Sequence, residues 1–350
     1  MNLSWRRTGD ESLHRSTYEE RIEAIGASLS EYYEQKSESI LSEYGIGSDG
    51  LVQENSTIPS QAREPELLPD KDEKEIRLQI RNYNRGRKSE TKIKYSKQLA
   101  SIENSAENCC YVSVDDVLVK RQKSTRVRKR KEEQRFVSNT VIHIQYKNHT
   151  YALTANSQDK AFVRLLAFLL SNHLLENTRL IFFSDGATSI RDAIQKYFSF
   201  REYTLILDWF HLANKCNQYL SMGIKGTMEE RKQIKAELVS ILFAGNVDFM
   251  ANLNKKNIKN QKQLDDLAAY LDRKSPYIVC YALRKRFGLR NSSNPVEKTN
   301  DRVVSFRQKN HGMSWSKIGS CALALISATN INDDLRDWIY NKRLGFKMAS

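Results

Sequence analysis

Residues 109–119 read Cys-Cys-Tyr-Val-Ser-Val-Asp-Asp-Val-Leu-Val. The run is rich in β-branched residues and predicts a strand, with side chains alternating between two faces. Two adjacent carboxylates interrupt it. Asp115 shares a face with Tyr111 and Ser113, and Asp116 shares the other with Val112 and Val114. Moving outward, 136–146 predict a second strand, Asn148 and His149 a turn, and 150–155 a third strand. Ser157 or Asp159 can cap a helix over about 159–173. Residues 179–184 and 203–207 are short apolar runs of the buried-strand kind, separated by a helical pattern over 189–198. A further helix starts near Asp208. The order β-β-β-α-β-α-β-α indicates an α/β fold, a sheet flanked by helices.

The flanks differ in texture. Residues 16–44 carry Ile22, Ile25, Leu29, Tyr32 and Tyr33 at helical spacing. Residues 45–72 collect Gly45, Gly47, Gly50, Pro59, Pro65 and Pro69, which reads as a linker or mobile loop. Residues 73–100 are rich in Lys and Arg. Helical spacing returns over 215–290 (Ile234, Leu238, Ile241, Leu242, then Leu264, Leu267, Tyr270, Leu271) without strand patterns, as in an all-helical insertion. A helix follows Pro295, Gly312 breaks it, and a final helical stretch covers about 315–342. The expected units are a helical, acidic-to-basic N-terminal region (1–106), a first part of an α/β core (107–214), the insertion (215–290), and a C-terminal part of the core (291–350).

The formal net charge is +14 over 350 residues and the pI about 9.4. The charge is uneven: residues 1–70 hold 6 Lys/Arg against 14 Asp/Glu, so the remaining 280 residues carry net +22. A basic module of this size points to a polyanionic partner. The five cysteines are odd in number and form no Cys-x-x-Cys pair, which argues against a disulfide framework or a zinc finger. The N-terminal residues lack a signal-peptide pattern, and the apolar runs 161–170 and 321–327 are too short to span a bilayer. No membrane partner is expected.

Three acidic positions stand at strand ends or turns: Asp115, Asp185 after Leu-Ile-Phe-Phe-Ser (180–184), and Glu297 in Asn-Pro-Val-Glu-Lys (294–298). In an open α/β sheet the ends of two strands converge where such folds place their sites. Pro295 suits a helix's first turn and would bring Glu297 in on that helix. Carboxylates gathered this way hold hard cations, and three can grip two Mg²⁺ ions about 3.5–4 Å apart for phosphoryl chemistry. Each also has an ordinary structural role open to it: Asp185-Gly186 is a good turn, Asp115-Asp116 could be an exposed strand end, and Glu297 could favour the helix dipole. Asp116 competes with Asp115 for one role, and Asp115 is the candidate taken. Asp208 can cap its helix, with His211 in the first turn. The run 120–135 holds Lys120, Arg121, Arg126, Arg128, Lys129 and Arg130, and Arg307 and Lys309 follow Glu297; these can neutralise phosphates.

Taken together, Ser184-Asp185-Gly186-Ala187, Leu207-Asp208-Trp209-Phe210-His211-Leu212, Val296-Glu297 with Asn300, and the run from Arg307 through Lys309, Gly312, Met313 and Trp315 to Ser316 resemble the DDE transposases of bacterial insertion sequences, of the Mutator-like type. The resemblance covers about 107–342. It implies a ribonuclease H-like mixed sheet flanked by helices, interrupted by the helical insertion, with Asp115, Asp185 and Glu297 as the metal-binding triad. Asp208 and His211 match the family's accessory element, Asp or Cys followed three residues on by His. The family has Asp-Gly in its first strand motif where this chain has Asp115-Asp116, so Asp116 stays open as a triad member. The resemblance further implies two Mg²⁺ ions, with Mn²⁺ able to substitute, and cleavage of double-stranded DNA ends followed by strand transfer into target DNA. It also implies homo-oligomers and a cytoplasmic, nucleoid-associated location in bacteria. A related nuclease, or a silent DNA-binding descendant, remains the alternative.

Overall fold

A computed structural model describes residues 15–65, 70–94, 102–103, 108–122, 135–176, 178–247 and 257–348. Helix α1 (Arg15–Glu43) is followed by two short helices, α2 (Ser60–Arg63) and α3 (Glu73–Asn84). Then come β1 (Cys109–Lys120), β2 (Phe136–Tyr146), β3 (His149–Ala155), α4 (Gln158–Ser171), β4 (Arg179–Ser184), α5 (Thr188–Phe198) and β5 (Thr204–Leu207). Next come α6 (Trp209–Gly223), α7 (Met228–Phe243), α8 (Gln261–Lys274) and α9 (Tyr281–Arg286). The chain closes with α10 (Asn294–Asn300), a π-helical turn (Asp301–Ser305), α11 (Phe306–Gln308), α12 (Lys317–Ile331) and α13 (Asp334–Asn341). The fold is α/β.

The strands form one mixed sheet in the order β3-β2-β1-β4-β5. β2 pairs antiparallel with both β1 and β3, whereas β4 runs parallel to both β1 and β5. The register explains the alternation in β1. Cys110, Val112 and Val114 face a core built with Leu180 and Phe182 of β4, and α1, α4 and α5 cover it. Tyr111, with Ile181 and Phe183, faces a second core closed by α6, α7 and α8. Farther along that second face, Val117, Val119 and Val141 meet Val296, Val303, Val304, Ala324 and Ala328. The central strands are thus buried on both faces. Each fully buried large apolar side chain contributes about 1.5–3 kcal/mol to keeping that register.

Local signals placed the helices. Ser157 is the residue that caps α4, accepting the Lys160 N–H, and Thr227 with Glu230 forms a complete capping box on α7. Pro295 occupies the first turn of α10. The glycine- and proline-rich stretch after α1 carries core residues: Ile46, Ile58 and Ala62 are buried in the first core.

Candidate functional site

Two parallel pairings set the geometry. Val114 of β1 lies opposite Ser184 of β4, and Ser184 lies opposite Leu207 of β5. The next residue in each strand direction is acidic: Asp115, Asp185 and Asp208. Three acidic residues therefore stand at one level across three neighbouring strands. β1 itself continues to Lys120 along β2, so Asp115 stands just past the pairing with β4 and within the strand, not at its end.

The pleat separates the two neighbouring acids of β1. Asp116 belongs to the opposite face. Its carboxylate accepts the Thr140 hydroxyl at 2.6 Å and the Gln158 amide at 2.6 Å, and Gln158 also reaches Ser189. Asp116 thereby ties β2 to the starts of α4 and α5. Asp115 faces the other acids. Burial, then the charges of Glu297 and Asp185, raise its pKa above the usual carboxylate range, against the partial relief of the Asp116 N–H and His211.

Each acid is held by a local donor. Asn300, one turn after Glu297 on α10, donates its amide to Asp115 Oδ2 at 2.6 Å. Its own Oδ1 is buried and meets no protein donor. Asp185 Oδ1 accepts the Ala187 N–H at 2.7 Å. The turn between them needs Gly186: its φ is +88°, and a Cβ would come within 2.7 Å of Leu207 Cδ1. Glu297 Oε1 pairs with His211 Nε2 at 2.9 Å. Burial disfavours the charged His211 ring, but the Glu297 hydrogen bond and the charges of Asp208, Glu297 and Asp185 outweigh it and raise its pKa.

Asp208 is the clasp. One carboxylate oxygen caps α6 through the His211 N–H at 2.7 Å, and the other takes both the N–H and the hydroxyl of Ser293. The residue after Asp208 continues the tie, since the Trp209 N–H donates to Asn291 O. One buried carboxylate thus joins the end of β5, the start of α6 and the start of α10.

Among the described residues, no three His, Cys, Asp or Glu side chains stand together tightly enough to hold a metal ion as oriented. Asn300 engages one oxygen of Asp115, and His211 one oxygen of Glu297. Of the basic residues, Lys120 is exposed and Arg121 is half-buried beside Trp315 at the end of β1. Arg307 is half-buried, donating to Arg302 O, and Lys309 is exposed. Arg126, Arg128, Lys129 and Arg130 lie outside the described residues.

Two contributors were invisible in the sequence. Lys274, the last residue of α8, is buried and donates to Gly186 O at 2.6 Å, so α8 grips the Asp185-Gly186 turn. His143 of β2 lies beside Ser113 in register and holds Thr299 of α10, Nδ1 to Oγ1, at 3.0 Å. The Thr299 hydroxyl donates to Pro295 O, so Nδ1 of His143 carries the proton and Nε2 is a bare buried acceptor. Neither residue carries a local signal: a lysine in a last helical turn reads as solvated, and a lone strand histidine as core.

Burial and the charge of Arg290 push the His143 pKa down to about 4 from 6.5. The folded state resists protonation that the unfolded chain accepts. Stability should therefore fall as pH drops through this window, by about 3 kcal/mol in total, and level off below it. His143→Gln should flatten that part of a urea-denaturation profile recorded between pH 7 and pH 4. An unchanged slope would reject the assignment.

No protein-family model matches the chain, and no curated protein matches it. Among solved structures, a Drosophila P element transposase strand transfer complex is similar with a TM-score of 0.26 and 10% identity, over 98% of this chain and 85% of that one. A likeness at that level carries no argument about fold or activity.

Proposed function

We propose that the chain is a metal-dependent DNA transposase of the DDE type, Mutator-like, on a ribonuclease H-like core, cutting element ends and joining them to target DNA. The observation that carries this reading is the common level of Asp115 and Asp185, with the helix of Glu297 tied to Asp115 through Asn300 at 2.6 Å. The mixed sheet with helices on both faces is the arrangement that reading expected.

The residues suit divalent cations. Mutual repulsion of three carboxylates is relieved by positive charge, and the unpartnered buried Oδ1 of Asn300 offers another hard oxygen beside them. Asp115, Asp185 and Glu297 would hold Mg²⁺ or Mn²⁺. Bound there, the ions would supply an activated oxygen nucleophile and neutralise charge at phosphorus. Asn300 orients Asp115, His211 positions Glu297, and Asp208 fixes His211 through its backbone. Lys120 and Lys309 offer exposed cations for the DNA backbone, and assembly into a homo-oligomer would bring two ends together.

The test is incubation with labelled DNA carrying the repeats that flank the coding sequence. Cleavage is expected in Mg²⁺ or Mn²⁺, none in a chelator, and joined products with an added target. Cleavage without joining would leave a nuclease. Identical behaviour with and without the chelator would overturn the proposal.

A further inference from the structure

Residues 294–308 form one uninterrupted helical path: α10, the π-helical turn and α11. Its inner side is buried and comprises Val296, Thr299, Asn300, Val303, Val304 and Gln308. Its outer side presents Lys298, Arg302 and Phe306, and Lys309 follows at its end, all exposed. Spacings of four, four and three put these on one stripe, and the wider π turn keeps Arg302 beneath Phe306.

Phe306 is 75% exposed. A phenyl ring that open, flanked one turn to each side by a cation, presents a bare π-face between positive charges. Among the described residues, no carboxylate forms an ion pair with Lys298, Arg302 or Lys309. Asp301 is the one acidic residue between 298 and 317, against Lys298, Arg302, Arg307, Lys309 and Lys317. The stripe begins one residue after Glu297. At about 1.5 Å per residue, Phe306 lies about 13 Å farther along the axis, roughly four nucleotides of a stacked strand.

We propose that this ridge binds an unpaired stretch of DNA next to the carboxylates, with one base stacked on Phe306 and the flanking phosphates on Lys298, Arg302 and Lys309. The inference rests on the DNA-processing reading and adds the state of the substrate. An aromatic face among cations suits single strands, because a base offers its own face only when it leaves the duplex stack.

The experiment is carried out in a chelator, so that binding is read without cleavage. The full chain is titrated with three DNAs: a single strand, a fully paired duplex, and a duplex ending in unpaired nucleotides that include 2-aminopurine. Phe306→Ala should weaken binding to the single strand and the tailed duplex about tenfold or more and restore 2-aminopurine fluorescence. Phe306→Trp should retain both, and binding of the fully paired duplex should not change in either variant. Lys298→Ala with Arg302→Ala should weaken all three and reduce the salt dependence. Equal affinity of wild type and Phe306→Ala for the tailed duplex, or an equal loss on the paired duplex, would overturn the ridge. Cleavage by the wild type in Mg²⁺, measured separately, reports on the catalytic reading alone. Phe306 is exposed, and an unchanged melting temperature of its variants checks that the fold is intact.

Discussion

Asp115→Asn is expected to abolish divalent-dependent DNA cleavage while making the protein more heat-stable. The loss should reach about 10³-fold or more, since a bound cation supplies several kcal/mol at the transition state and each ~1.4 kcal/mol is tenfold in rate. The gain in stability has the opposite origin. Burial and the charges of Glu297 and Asp185 raise the Asp115 pKa, so ionising it costs folding free energy. That cost is absent at low pH, where the carboxyl is protonated folded or unfolded. It sets in as pH rises through the ordinary carboxylate range and is complete above the raised pKa. An uncharged amide removes it at neutral pH. Asp185→Asn should lose cleavage to the same extent. Asp116→Asn should behave differently, because its partners Thr140 and Gln158 lie on the far face of the sheet. Cleavage should survive within about tenfold, while stability drops by about 1–3 kcal/mol from the disturbed, partly buried hydrogen bonds. Gel-based cleavage in Mg²⁺ and calorimetry in a chelator read the two effects separately. Lost cleavage with Asp116→Asn alone would move the triad to that residue, and a lower melting temperature for Asp115→Asn would refute the charge-repulsion account.

Glu103→Ala should destabilise the fold by about 3–5 kcal/mol. Glu103 and Arg284 are both 5% exposed and paired through two hydrogen bonds, at 2.8 and 2.5 Å. Removing the carboxylate strands a guanidinium in the interior. Arg284 also donates to Arg290 O, and the neighbouring Asn291 O receives Trp209 N–H. The damage should therefore spread toward Ser293 and the helix that carries Glu297. Replacing both partners, as Glu103→Leu with Arg284→Met, should recover most of the loss, because an apolar pair leaves no orphan charge. Urea midpoints of the three variants decide this. A double variant no better than the single would show that the pair itself, and not the stranded charge, sets the cost.

The strands and helices were legible where a local code exists. The apolar runs at 179–184 and 203–207, the Ser157 and Asp208 caps and Pro295 all lie where their chemistry put them. Face alternation separated Asp115 from Asp116, and their contacts follow it: Asp116 bonds Thr140 and Gln158, whereas Asp115 bonds Asn300. What no local pattern encodes is pairing at a distance. Lys274 reaches Gly186 across 88 positions, His143 reaches Thr299 across 156, and Glu103 reaches Arg284 across 181. These are buried polar residues whose partners arrive only with the tertiary fold, so their own neighbourhoods read as surface or as ordinary core. The π turn after Asn300 is similar, since its residues Asp301–Ser305 read simply as more helix.

The alignment of Asp115, Asp185 and Asp208 depends on backbone ladders and not on the connections between them. Lengthening the chain at 199–202, between α5 and β5, should leave the acids where they are. Adding a single residue to β1 ahead of Asp115 would do the reverse. With the downstream half of the strand held in place, Tyr111 and Ser113 would change places with Val112 and Val114, and polar groups would enter the core under α4. With the upstream half held, Asp115 would be carried to the far face. The doublet of acids is thus no safeguard against slippage, and the site tolerates long insertions between its parts but not one extra residue within its central strand.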